Sequence, residues 1–178
     1  SAISEVAMKL SIPFEQFSES INYDRSFSPK SESCAVKCLT LRENVGKGKA
    51  LAAGIQFAKE TSQFVLTTDA DGSADISCLD RMIIKSLSCS RPNIVVGKRF
   101  QQNISMKRLV LRLGFKLTVQ TLCFPLRLSD DTQCGFKLFP RKYAITLYNQ
   151  LHLDRWSHDV EVLYLASLSD LVILEDDV

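Results

Sequence analysis

Two carboxylates one residue apart, Asp69 and Asp71, follow the apolar run in QFVLTTDADGS. Like charges this close resist burial unless a cation or strong donors compensate them, so a positive group is expected beside them. At D-x-D spacing they can offer oxygen ligands to Mg²⁺ or Mn²⁺ and leave other positions for phosphate oxygens. A solvated turn or helix cap accounts for the same residues, because Asp, Gly and Ser all form turns. NVGKGKA supplies two glycines and two lysines ahead of a helix, so backbone amides and Lys47 can face a phosphate there, although the P-loop spacing is absent. Lys98 and Arg99 directly follow NIVVG, and SDDTQCGFKLF places Asp130, Asp131 and Gln133 just before Lys137. Lys137 either points to solvent or holds a phosphate, with Asp131 acting as general base or orienting an acceptor. In RWSHDVEVL, Trp156, Asp159 and Glu161 crowd Arg155 and His158, as a capped helix start or as part of a substrate site.

These residues need elements to position them. CAVKCLTL, QFVLTTD, NIVVGKR, CGFKLF and LVILE read as strands. Between them, KALAAGIQFAKE, the stretch from Ala74 to Leu87, PRKYAITLYNQL and the stretch from Trp156 to Leu168 read as helices. Leu51, Ile55 and Ala58 share one face of the first helix, and Ile76, Leu79, Ile83 and Leu87 are expected inward on the second. Strands alternating with helices predict an α/β domain with a mostly parallel central sheet flanked by helices. Asp69, Asp71, Lys98 and Arg99 then fall at the carboxyl ends of strands, where ligands bind in such sheets. Residues 1–33 read as a short N-terminal helix and a polar, serine-rich loop, and residues 34–178 as the single main domain.

With 178 residues, 46% hydrophobic and 24% charged, the chain suits one globular domain with a sizeable core. Six cysteines without a C-x-x-C pair point to reduced thiols, and two histidines give a zinc site little support. No apolar run reaches the roughly 18 residues of a membrane span. The net charge of +2 hides an asymmetry: no Asp or Glu lies between Arg81 and Ser129, and acids dominate after Asp154. An anionic partner is expected at the basic middle. Nucleic acid is disfavoured, because the basic residues alternate with aliphatics and no repeated aromatic stacking pattern occurs.

Within that middle, Met106 to Leu122 shows two apolar faces at helical period. Met106, Leu109, Val110, Leu113 and Leu117 form one, and Leu111, Phe115, Val119 and Leu122, interleaved with Arg108 and Arg112, form the other. Such a helix is either packed on both sides with snorkelling arginines, or held by the domain on one face and laid in an anionic membrane surface on the other.

NVGKGKA, TTDADGS, VVGKRF, DTQCGFKLFPR and RWSHDVEVLYLA, in this order over roughly residues 35 to 168, resemble the dolichyl-phosphate glucosyltransferase branch of the family 2 glycosyltransferases. The dolichol-phosphate mannose synthases are near neighbours of that branch. The resemblance implies a GT-A type fold and a divalent metal, Mg²⁺ or Mn²⁺. It implies inverting transfer of glucose from UDP-glucose to dolichyl phosphate, for protein N-glycosylation, at the cytosolic face of the endoplasmic reticulum membrane. By position, Asp69 and Asp71 match the metal and diphosphate motif, Asn44, Gly46, Lys47 and Gly48 the turn beside the donor nucleotide, and Arg99 the basic residue after the next strand, on the nucleotide-sugar side, with Asp131 in the acceptor-side motif. Asp131 matches the catalytic position, and Gln133 and Lys137 the acceptor-phosphate side. Arg108, Arg112 and Phe115 become membrane-facing. The family's opening PAYNE-like strand and its DDGS segment are not found. The chain is therefore expected to begin inside the domain, without its first strands, and to end before the family's last basic segments. GDP-mannose as donor and a catalytically incomplete membrane-surface module are the alternatives.

Overall fold

Side chains alternate across β-strands, so each core strand here serves two apolar layers. The structure is a computed structural model that describes residues 21–23, 38–72, 74–99, 106–123, 129 and 131–178. Its strands are β1 (Ile21–Tyr23), β2 (Leu39–Leu41), β3 (Phe64–Thr67), β4 (Asn93–Lys98), β5 (Lys137–Pro140) and β6 (Val172–Asp177). The helices are α1 (Lys47–Gln56), α2 (Leu79–Ser88), α3 (Met106–Leu122), α4 (Arg141–Tyr148) and α5 (His158–Leu168). Ile94 and Val96 of β4 and Phe139 of β5 join Ala52, Ile55, Ala144, Leu147, Val162 and Leu163 in one core, under α1, α4 and α5. Val95 and Leu138 point the other way, into a second core with Cys78, Met82, Cys134 and Phe136.

The main sheet has the order β3-β5-β4-β6. β6 runs parallel to β4, whereas β5 is antiparallel to both β3 and β4. Three strands therefore share one direction, as the alternating pattern predicts, and β5 is inserted against them. The reversal follows from where the chain returns to the sheet. Arg99, just past β4, pairs with Asp131, just before β5, so β5 starts at the edge where β4 ends and must run back. The register places Thr67 opposite Lys137 and Lys137 opposite Val96, which puts these three side chains in a row on the face covered by α1, α4 and α5.

Two expectations are corrected. The polar stretch before residue 33 reads as a loop, but Ile21–Tyr23 pairs antiparallel with Leu39–Leu41, so this ladder crosses the expected boundary. The helix expected before it lies outside the described residues. On α2, Ile76 and Leu87 are exposed, and the inward residues are Met82 and Ser86, with Leu79 and Ile83 partly covered. Residues Ile76–Cys78 form a 3₁₀ turn, which shifts the helical phase. Polar contacts then fix the new phase: Ser86 Oγ donates to Asn93 Oδ1, and Arg81 and Lys85 pair with Asp176.

α3 also departs from expectation. Val110, Leu113 and Leu117 on one face and Leu111 and Phe115 on the other are all exposed, and Val119 alone of the helix's described apolar side chains is buried. α3 therefore leaves apolar surface uncovered on both sides.

Candidate active site

The site is assembled where α1, the end of β3 and the turn before α5 converge. Gly46 sits at φ +88°, a left-handed conformation that side chains disfavour, and its amide donates to Asn44 Oδ1 at 3.0 Å. A Cβ on Gly48 would lie 2.7 Å from the Leu153 carbonyl oxygen and 2.8 Å from His158 Cβ. The glycines thus let the start of α1 press on the turn at 153–158, and the Gly48 amide donates to the Asp154 carbonyl at 2.8 Å. That amide is expected from the motif to face a phosphate, but the protein itself occupies it. Lys47 is what the motif delivers to the site. Gly48→Ala is expected to cost about 1–3 kcal/mol of stability through overpacking. Urea unfolding checks this, and an unchanged midpoint would mean that the turn yields freely.

Lys47 Nζ lies 2.8 Å from Asp69 Oδ1 and 3.7 Å from Asp159 Oδ2. This is the positive group that the acidic pair requires. Asp69 also packs against Gly135, where a Cβ would come within 2.7 Å of its carboxyl carbon, so the loop before β5 closes on the acidic pair. Asp71 is exposed. Among the described residues no cluster of three or more His, Cys, Asp or Glu can hold a metal. Two carboxylates suffice for Mg²⁺ or Mn²⁺ when diphosphate oxygens and water complete the shell. Asp69 has its charge compensated by the Lys47 ammonium, and its oxygens and those of exposed Asp71 are the hard donors such a cation takes.

Arg99 and Asp131, expected on the donor and acceptor sides respectively, form one unit. The guanidinium donates through Nε and one terminal nitrogen to the two Asp131 oxygens, at 2.9 and 3.0 Å. The hydrogen bond to Asp131 raises the Arg99 pKa further above its usual value, against the opposing effect of burial, and Asp69 adds to the rise. Asp131 is buried, and its amide donates to Ser129 Oγ, whose hydroxyl donates to Glu175 Oε1. A carboxylate held by such a fork is better placed to orient a partner than to accept a proton, which favours the orienting reading of Asp131 over the general-base one. Gln133 is exposed on the same loop.

The solvent-facing reading of Lys137 is corrected: it is fully buried, donating to the Cys134 carbonyl and pairing with Asp159 Oδ1 at 2.5 Å. Burial pushes its pKa down, and the Asp159 carboxylate works against that shift. Asp159, read from the sequence with its neighbours as a capped helix start or as part of a substrate site, joins Lys137 of the core to Lys47 of the site. Nearby, burial lowers the His158 pKa, the His158 Nδ1–H donates to the Arg155 carbonyl at 2.7 Å, and Nε2 faces Asp159 Oδ1 at 3.6 Å.

The side chains of Arg108 and Arg112 lie outside the described residues, whereas Phe115 is exposed. No helix of the described residues is long and apolar enough to cross a membrane.

Residues 25–147 match the family described as Glycosyl transferase family 2. Among curated proteins, the chain is 36% identical over 159 residues to the dolichyl-phosphate beta-glucosyltransferase of Dictyostelium discoideum, covering 84% of this chain and 47% of that protein. It is 34% identical to the human protein of the same name, over 84% of this chain and 48% of the relative. With the Saccharomyces cerevisiae protein it shares 32% identity over 73% of this chain and 42% of the relative. The chain spans about half the length of the curated relatives it matches. The chain is an α/β domain of GT-A type, and it belongs to glycosyl transferase family 2.

Proposed function

We propose that this chain carries the transferase site of a dolichyl-phosphate β-glucosyltransferase, which moves glucose from UDP-glucose to dolichyl phosphate with inversion. The observation that carries the reading is the convergence of Lys47, Asp69 and the Arg99–Asp131 pair on one edge of the sheet. The names of the relatives support the acceptor and the sugar. Mg²⁺ or Mn²⁺, held by Asp69 and Asp71, would neutralise the charge that develops on the departing diphosphate. Lys47, already at Asp69, supplies a second positive charge for the diphosphate. Arg99, oriented by Asp131, offers its remaining N–H groups to the acceptor phosphate. That phosphate is already ionised, so attack on the anomeric carbon needs orientation more than proton removal. Asp131 therefore acts by holding Arg99. Lys137 acts from below, by fixing Asp159.

We assign α3 to the membrane surface beside this site, at the cytosolic face of the endoplasmic reticulum. Val110, Leu113 and Leu117 on one side and Leu111 and Phe115 on the other are exposed, and its sequence adds Lys107, Arg108, Arg112 and Lys116 without an acid. Arg108→Glu with Arg112→Glu is expected to weaken binding to anionic vesicles by about tenfold or more at low ionic strength, and to lose this effect as salt rises. Vesicle co-sedimentation measures it, and unchanged binding would assign the helix to another contact.

The donor is tested by calorimetric titration with UDP-glucose and with GDP-mannose, each with and without Mn²⁺. Metal-dependent binding of UDP-glucose alone is the expected result. Preference for GDP-mannose would transfer the assignment to a mannosyl enzyme, and binding of neither would leave a membrane-surface module.

A further inference from the structure

Trp156 is 72% exposed, although an indole is among the costliest side chains to leave in water. Its turn does not move freely. The Asp154 carbonyl accepts from the Gly48 amide, Lys49 pairs with the Asp154 carboxylate at 2.7 Å, and the His152 and Leu153 amides donate to the Glu161 carboxylate at 2.9 and 2.7 Å. On the following side, His158 donates twice to the Arg155 carbonyl, through its amide and Nδ1. A solvent-facing aromatic on a turn pinned at both ends is a surface prepared in advance for a ligand.

The surroundings indicate which ligand. Lys47 Nζ stands 5.4 Å from the centre of the indole ring while also lying 2.8 Å from Asp69. The ring is thus one lysine side chain away from the proposed diphosphate position, and its neighbour on that position is a sugar. A pyranose presents a face of C–H bonds, positively polarised, that suits the negative face of an indole, while its hydroxyls need the charged groups found at the rim. Lys47 over the ring and Asp69 and Asp159 beyond it provide those groups.

Building on the proposed function, we infer that Trp156 is the stacking platform for the hexosyl ring of the sugar-nucleotide donor, with Lys47 passing from the indole and Asp69 to the diphosphate as the donor enters. Trp156 then sets donor affinity through the sugar and contributes nothing to the nucleotide.

Trp156 is the chain's single tryptophan, so indole emission reports this position alone. Emission is recorded while the chain is titrated with UDP-glucose and with UDP, each with Mg²⁺, alongside calorimetry of the same ligands. The expected result is an emission change with UDP-glucose that UDP does not produce. Trp156→Ala should weaken UDP-glucose by about fivefold to tenfold, the scale of one aromatic contact, with UDP unaffected and Trp156→Phe restoring most of the loss. If UDP-glucose binds and neither the emission nor the Trp156→Ala affinity changes, the platform is refuted while the donor assignment stands. Equal losses for UDP and UDP-glucose would place the indole under the nucleobase and likewise overturn the inference. Absence of calorimetric binding for UDP-glucose would overturn both the inference and the function on which it rests.

Discussion

Asp71→Ala is expected to reduce metal-dependent affinity for UDP-glucose by about 100-fold or more, the scale on which a removed charge-stabilising group is felt at a reacting centre. The same change should alter unfolding free energy far less than the loss of a buried ion pair would, because Asp71 is exposed. The pair of measurements separates a ligand from a scaffold residue. Asp69 could not serve this purpose, since it holds Lys47 and packs on Gly135, so its removal would disturb α1 and the loop before β5 together. Titration with and without Mn²⁺, beside urea unfolding, decides the matter. An unchanged affinity for Asp71→Ala would remove the metal assignment.

The second large effect concerns stability. Lys137→Met keeps much of the length and volume of the side chain but leaves the Asp159 carboxylate buried with Lys47 at 3.7 Å as its remaining lysine partner. Breaking one side of a buried ion pair costs about 3–5 kcal/mol, because the other charge stays out of water. Lys137→Met with Asp159→Leu removes both charges and is expected to recover most of that loss. Chemical denaturation of the two variants and the parent measures the cycle. A loss below about 1 kcal/mol for Lys137→Met would show that water reaches the pair and that Lys137 does not anchor Asp159.

The order of elements is legible in the sequence because each strand and helix carries its own periodicity. Asp69 and Asp71 stand out because two carboxylates closing an apolar run demand a compensating cation. Lys137 is hidden for a definite reason. Strand periodicity tells that residues 137 and 139 share a face, but not that an acid 22 residues later, on a helix, covers that face. The same limit applies to Arg99 and Asp131, which the family pattern assigns to opposite sides of the reaction and the fold joins at 2.9 Å. The glycines of NVGKGKA suggest an anion cradle, whereas both are required by close backbone approach to the turn before α5. α3 is the converse case. Its two apolar faces are evident in the sequence, and nothing in the sequence shows that each keeps exposed apolar side chains, Leu113 and Leu117 on one and Leu111 and Phe115 on the other.

The reversed strand β5 also governs when the site can come into being during synthesis. Thr67 at the end of β3 lies 70 residues before its partner Lys137, and β5 supplies β3's ladder in the main sheet. At roughly 5–20 residues per second on the ribosome, β3 therefore waits about 4–14 s before the ladder with β5 can form. Through that interval Asp69 has neither Gly135 beside it nor an Asp159 to help fix Lys47. A nascent chain stalled before β5 would lack the loop that closes on Asp69 and would bind no sugar nucleotide, and the β3 edge that β5 later covers is what a chaperone has to protect in this interval.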